Sequence, residues 1–346
     1  MRTFLKVIKY VGLALLLLVV LASIVPYFFT LNSRELQPHE KPFADSRFAV
    51  IGGVRLHYRL NLPAAQPRAV VLMVHGLAGN TFSWRHNVDT LTQNGFAVLR
   101  VDLPAFGYSD RYRPALHGPA FRAQLLWQLL DTLTHAQPQL AAPIVVAGHS
   151  MGSGVVLAMA ALQPKRTHMV MLVDGAMMGR FRSSFGGPAW LQAIMDYPPA
   201  FRLAQVLAER QYFNPASFTK LLGSAYGQTA DTAAVNGYLR PMLLKHTAGA
   251  VLRSFLHNAD TVQLKYENVT MPVRMVWGGH DTWVAKASAE RALKLLPNAQ
   301  LHVINVAGHC PMETHPQAFN AWMLQHLQQP ASAPGAAPAS AKLSSR

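Results

Sequence analysis

The chain has 346 residues, 51% of them hydrophobic, and carries 31 Lys and Arg against 16 Asp and Glu for a formal charge of +15. That apolar content excludes a disordered chain and suffices for one large domain of roughly 250 to 300 residues plus appendages. The cations are scattered rather than gathered into a run or a basic helix face, which speaks against nucleic acid as a partner, and Cys310 is alone, which excludes an internal disulfide.

Residues 1–10 form a basic flank with Arg2, Lys6 and Lys9. Residues 11–29 follow as an apolar stretch, Val11 to Phe29, that spans about 28 Å as a helix and so can cross a bilayer. A cleaved signal peptide is the rival, with Leu21-Ala22-Ser23 as a faint small-residue site. The apolar run continues past it through Ile24, Val25, Tyr27, Phe28 and Phe29, so an uncleaved transmembrane anchor is expected. Cations cluster before the span, while Arg34 and Lys41 after it are diluted by Glu35 and Glu40. This predicts the N-terminus inside and the bulk of the chain on the non-cytoplasmic side, periplasmic if bacterial; secretion after cleavage is the alternative.

After a polar linker over residues 30–47, "FAVIGGVRLHYRL" alternates as a β-hairpin turning at Gly52-Gly53. Six short, almost wholly apolar runs follow: Ala69 to Gly76, Phe96 to Pro104, Ile144 to Ser150, His168 to Ala176, Val273 to Asp281 and Gln300 to His309. Strands buried on both faces read like this, so the fold class is α/β, a mostly parallel twisted sheet flanked by helices. "PAFRAQLLWQLLDTLTHA" and "ASAERALKLLP" carry helical periodicity between strands. The core is expected over 48–176 and 269–327. It is interrupted by a helical cap over 177–268, whose helices are broken at Pro198-Pro199 and Asn214-Pro215. Residues 328–346 are Ala-, Pro- and Ser-rich and read as a disordered tail.

The chemistry starts at "IVVAGHSMGSG", a strand that ends in Gly-X-Ser-X-Gly and enters a helix. Glycines at 148 and 152 avoid collision with neighbouring backbone and leave Ser150 on a strained turn with its hydroxyl exposed. A serine hydroxyl needs a base, and the base needs a group that fixes its tautomer. Two strand ends offer these: "WGGHDTWV" places Asp281 beyond one strand and "VAGHCPMETHP" places His309 beyond the last. Asp174 in "LVDGA" also ends a strand and is the competing acid.

In these residues the chain resembles the α/β-hydrolase superfamily from about Phe48 to Leu327, and is similar to its membrane-anchored monoacylglycerol lipase and esterase members. The resemblance implies a triad of Ser150 as nucleophile, His309 as base then acid, and Asp281 as orienting acid. It also implies an oxyanion hole from the backbone N–H groups of Met151 and of Leu77, the latter after His75-Gly76. His75 is expected to brace that loop, Asp102 to be a structural turn residue, and Cys310 to be a packed neighbour rather than a nucleophile. His280 reads as a solvated loop residue, and His302 and His315 lack a third partner at metal spacing, so neither a metal nor a cofactor is expected.

Serine at position 150 excludes the relatives that use an aspartate nucleophile. The expected function is hydrolysis of carboxylic esters with apolar acyl groups, with a small-molecule or lipid ester as substrate and the membrane engaged through the N-terminal helix. The alternatives are carbon–carbon bond hydrolysis of ring-fission products, a cofactor-free perhydrolase and, in another class, a non-catalytic binding module on the same fold.

Overall fold

The structure is a computed structural model, and it describes residues 1–37, 39–111, 118–175, 189–256 and 265–329. The first helix, α1, runs Arg2–Ile24 and continues as a 3-10 turn over Val25–Phe28. It starts nearer the N-terminus than the apolar stretch, because nothing from Arg2 to Tyr10 breaks a helix. By length and composition, Thr3–Phe28 is long and apolar enough to cross a membrane.

The sheet opens with the hairpin β1 (Ser46–Ile51) and β2 (Val54–Asn61), closed by Gly52 and Gly53 at φ of 55° and 76°. Both central positions need positive φ in this turn, which only glycine supplies without strain. Then follow β3 (Val70–Val74), α2 (Val88–Gln93), β4 (Ala97–Val101), α3 (Pro119–Ala136), β5 (Ile144–His149), α4 (Met151–Leu162) and β6 (Thr167–Val173). Between β6 and the next strand stand α5 (Ala189–Asp196), α6 (Pro198–Tyr212), α7 (Pro215–Tyr226), α8 (Thr232–Met242) and α9 (Thr247–Leu256). The chain returns through β7 (Val273–Gly278), α10 (Ala287–Leu295), β8 (Ala299–Ile304), α11 (Pro311–Thr314) and α12 (Pro316–Leu327). Residues 177–188 and 257–264 of the expected cap, and 330–346 of the expected tail, lie outside the described residues.

Strand order is β1-β2-β4-β3-β5-β6-β7-β8. β1 with β2 and β2 with β4 are antiparallel, and every other pairing is parallel. All six apolar runs form strands, each ending one to five residues before the run does. Alternation within β3 divides the core: Val70, Leu72 and Val74 pack with α3, α4 and α10, whereas Val71 and Met73 pack with α2, α7, α8 and α12.

Register brings the chemistry together. Val74 pairs with Gly148, His149 with Val173, Val173 with Val276, and Gly278 with Ile304. The segments leaving β3, β5, β6, β7 and β8 therefore emerge along one edge, and the proline-started helices α6 and α7 belong to the insertion beside it.

The segment after α1 does not hang free. Asn32 donates its N–H to Glu209 Oε2 at 2.7 Å, Arg202 Nη2 donates to the Phe29 carbonyl at 2.8 Å, and Lys245 N–H donates to the Arg34 carbonyl at 2.8 Å. Ser23 Oγ meets the Tyr197 hydroxyl at 2.5 Å. The end of the apolar helix is thus docked on α6 and its neighbours.

Candidate active site

Ser150 sits between β5 and α4 at φ 49°, ψ −118°, a conformation that non-glycine residues rarely hold. The glycines beside it are fixed by contact. A Cβ at Gly148 would lie 2.5 Å from the Gly152 carbonyl oxygen, and one at Gly152 would lie 2.5 Å from that of Val74. The elbow can close only with both glycines, which is the reason for the motif. Ser150 N–H donates to the Val173 carbonyl at 2.9 Å, and the helix that follows leaves its first N–H groups without intrahelical acceptors.

His309 and Asp281 are brought together. His309 Nδ1 donates to Asp281 Oδ2 at 2.8 Å, with the side chains 3% and 1% exposed. Asp281 Oδ1 accepts from the N–H groups of Trp283 at 2.7 Å and Val284 at 3.0 Å. Burial works to raise the Asp281 carboxyl, but the bond from His309 and its charge hold it below the ordinary aspartate value. The indole of Trp283 stacks on the His309 ring at 5.4 Å.

Ser150, His309, Leu77 and Met151 all line one cavity of about 400 Å³. Its wall is mostly apolar, with Phe218, Leu221, Leu222 and Ala225 from α7, Phe255 from α9 and Val284, and Arg291 is its cation among the described residues. Both main-chain N–H groups expected to bind an oxyanion, those of Leu77 and Met151, therefore belong to residues on this wall.

The loop that carries Leu77 is braced from behind. Leu103 N–H donates to His75 Nε2 at 3.0 Å, which leaves the proton on Nδ1 to bond the Gly76 carbonyl at 2.7 Å. Burial pushes His75 below the usual histidine value and keeps it neutral. Asp102 Oδ1 accepts from Thr81 N–H at 2.6 Å, further along that loop, and Oδ2 accepts from Tyr108 N–H at 2.8 Å. Cys310 is buried, 4.0 Å from His149 Nε2, and burial pushes its thiol well up, as suits a packed neighbour.

Four features were not legible in the sequence. His149, before the serine, donates Nε2–H to the His309 carbonyl at 2.8 Å; burial and the adjacent His309 push it down to about 3, so it is a neutral strut. Glu313, in α11, is buried and gathers Arg85 with the hydroxyls of Tyr226 and Tyr238 from α7 and α8. Asp174 and Asp281 are neighbours: one carboxylate oxygen of each and a ring nitrogen of His309 lie within 4.8 Å of one another. The competing acid is thus part of the same cluster. Lastly, Ser46 Oγ meets His57 Nε2 at 2.8 Å and His57 Nδ1 meets Asp102 Oδ2 at 2.7 Å, a second serine–histidine–aspartate chain, sealed in the core at 4%, 0% and 0% exposure.

A mostly parallel sheet with an elbow after its fifth strand and an acid and a histidine after its last two defines an α/β hydrolase. The chain belongs to the alpha/beta hydrolase fold family, whose model matches residues 69–316. It is 24% identical over 293 residues to a 2-hydroxy-6-oxononadienedioate/2-hydroxy-6-oxononatrienedioate hydrolase of Cupriavidus pinatubonensis, covering 82% of this chain and 95% of that one. Among solved structures it is similar to a membrane phospholipase A described as a bacterial virulence factor, with TM-score 0.62, 19% identity and coverage of 95% of this chain and 99% of that one. It is similar also to the enol-lactonase of Burkholderia xenovorans, with TM-score 0.62, 19% identity and coverage of 82% and 100%.

Proposed function

We propose that the protein is a serine hydrolase that cleaves carboxylic esters with apolar acyl groups, monoacylglycerol-type lipids among them, through an acyl-enzyme on Ser150. The observation that carries this reading is the His309–Asp281 hydrogen bond on the same apolar cavity as Ser150. In this mechanism Ser150 Oγ attacks the ester carbonyl as His309 Nε2 takes its proton, while Asp281 keeps the other ring proton on Nδ1 and stabilises the imidazolium. The N–H groups of Met151 and Leu77 receive the oxyanion, each worth about 100- to 1000-fold in rate. His309 then protonates the departing alcohol, and water activated by the same nitrogen releases the acid.

The cavity wall supports an uncharged acyl chain: apolar residues dominate, and Arg291 already bonds Ser288 at 2.7 Å. The second reading, carbon–carbon bond hydrolysis, is favoured by the Cupriavidus relative. Its dianionic substrate, as named, calls for more cationic wall than the described residues provide.

The same reading holds the chain at a bilayer by α1 as an anchor, with Arg2, Lys6 and Lys9 on the inner side. The faces of α5 and α6 support it. Trp190 and Ile194 are one turn apart, as are Leu203 and Leu207, and all four are exposed on the two helices that flank Tyr197, whose hydroxyl meets Ser23 of α1. Tyr27, Phe28 and Tyr197 add exposed aromatics at that level, as residues at a membrane interface do.

Labelling the full chain with a fluorophosphonate, then comparing p-nitrophenyl esters of graded length with monoacylglycerols and a ring-fission diketone, tests the proposal. Label on Ser150 with preference for apolar acyl esters is the expected result. No label on the wild type, or equal label on Ser150→Ala, removes it.

A further inference from the structure

Asp174 stands where β6 gives out, and its backbone is held at φ 44° by a bond from its own N–H to the Val276 carbonyl at 3.0 Å. A left-handed aspartate is a strained residue that the surroundings must over-determine. Its Oδ1 accepts from Gly278 N–H at 2.7 Å. Its Oδ2 is buried and has no donor among the described residues. Asp281 is the neighbour: one carboxylate oxygen of each acid and a ring nitrogen of His309 all lie within 4.8 Å of one another.

The accounting of donors decides the protonation state. Asp281 already accepts three hydrogen bonds, from His309, Trp283 and Val284, and is the better solvated anion by proton donors. Asp174 accepts one, and no Lys or Arg pairs with either carboxyl among the described residues. Two acceptor-only carboxylates in buried contact cannot both keep their charge. The titratable groups facing the pair are His309, which is bonded to Asp281, and Cys310, whose thiol lies in the field of both acids; His149 stands behind His309.

We propose that Asp174 is a positioning residue whose carboxyl is protonated at neutral pH and donates its O–H to Asp281, so that a single anion, held in place from both sides, faces His309. Burial and the neighbouring Asp281 both act to raise Asp174. The inference rests on the hydrolase reading for its kinetic arm only. Asp174 touches no substrate; it acts through Asp281, sharing part of the anion's charge and fixing the direction in which Oδ2 points.

The variants follow from the geometry. Asp174→Asn keeps an acceptor for Gly278 and supplies an N–H donor to Asp281, and asparagine tolerates positive φ. Asp174→Gly removes both groups without adding backbone strain. With the full chain and a soluble p-nitrophenyl ester, Asp174→Asn is expected to stay within about threefold of wild-type kcat, with the acidic limb of its kcat/KM profile in place. Asp174→Gly is expected to lose about 10- to 100-fold in kcat with KM little changed, and its acidic limb moves to higher pH because Asp281 no longer shares its charge. An acidic limb displaced to lower pH in Asp174→Asn would mean that a negative charge had been removed, which overturns the proposal. So would a loss in Asp174→Asn as deep as that in Asp281→Asn, or an Asp174→Gly enzyme like the wild type. Infrared difference spectra supply an arm independent of turnover: wild type minus Asp174→Asn at neutral pH should show the carbonyl band of a protonated carboxyl. Its absence overturns the proposal even in an active enzyme, whereas a wild type that shows the band but turns over no ester removes the hydrolase reading alone.

Discussion

His309 donates its main-chain N–H to the carbonyl of Ala225, one residue before the end of α7, at 2.7 Å. The candidate base is therefore fastened to the inserted helices as well as to the sheet. Gly308 lies in the same joint, where an added Cβ would stand 2.7 Å from the Tyr226 carbonyl oxygen and 2.8 Å from that of Ala225. Gly308→Ala should push α7 away or swing His309, costing about 100-fold in kcat with a smaller effect on melting temperature. Kinetics and calorimetry on the purified variant read both.

Ser150→Ala and His309→Ala should each remove most turnover, on the order of 10⁴-fold or more, while leaving the circular dichroism spectrum unchanged. Asp281→Asn should cost about 10⁴-fold, because an amide at this position stabilises the wrong imidazole tautomer. If Asp281→Asn stays active and Asp174→Asn does not, the acid is Asp174. Steady-state rates across the set distinguish these.

Glu313 holds one cation and two hydroxyls in a place with almost no water. Arg85→Met leaves that carboxylate buried without its counter-charge and should cost about 3 to 5 kcal/mol. Tyr226→Phe removes one hydrogen bond and should cost about 1.5 to 3 kcal/mol. Chemical unfolding of both variants gives the comparison, and equal effects would mean that the ion pair matters no more than the hydroxyl.

His149 is pushed down to about 3 from an ordinary 6.5 by burial and by His309. The unfolded chain binds this proton below pH 6.5 and the folded chain does not, so stability falls as pH drops from 6.5 towards 3. His149→Asn should flatten that slope; His326, pushed down to about 4, and His75, also lowered, keep it from vanishing. Melting temperatures of the full chain between these pH values test the sign, and a wild-type curve that rises on acidification contradicts it.

Trp190→Ser combined with Leu207→Ser removes exposed apolar surface from α5 and α6 and touches no cavity residue. If those helices rest on a bilayer, turnover of a monoacylglycerol in vesicles should fall about tenfold, with hydrolysis of a soluble short-chain ester unchanged. Equal loss on both substrates argues for damage to the fold, and no loss on either argues against contact with the bilayer.

The strands and the elbow were readable because their signals are local. A strand buried on both faces is an apolar run, and the glycines of the elbow answer to backbone a few residues or one strand away, as at Gly148 and Gly152. The inserted helices were readable for the same reason, since Pro198 and Asn214 mark their starts and Asn214 caps α7 by accepting from Ser217 N–H at 2.9 Å. Glu313 was opaque, because its partners Arg85, Tyr226 and Tyr238 come from three remote segments and only packing makes an acid in a short helix a junction. Asp174 was seen as a rival to Asp281. Its placement beside Asp281 depends on the register of two strands about a hundred residues apart, which no local pattern encodes.

The chain of Ser46, His57 and Asp102 has an unreactive fate despite its hydrogen bonds. Phe43, Phe48 and Tyr108 pack their rings around His57, and all three members of the chain are buried. A reagent arriving from solvent finds Ser46 only 4% exposed, so burial, whatever the alignment of its hydrogen bonds, makes this serine a rivet.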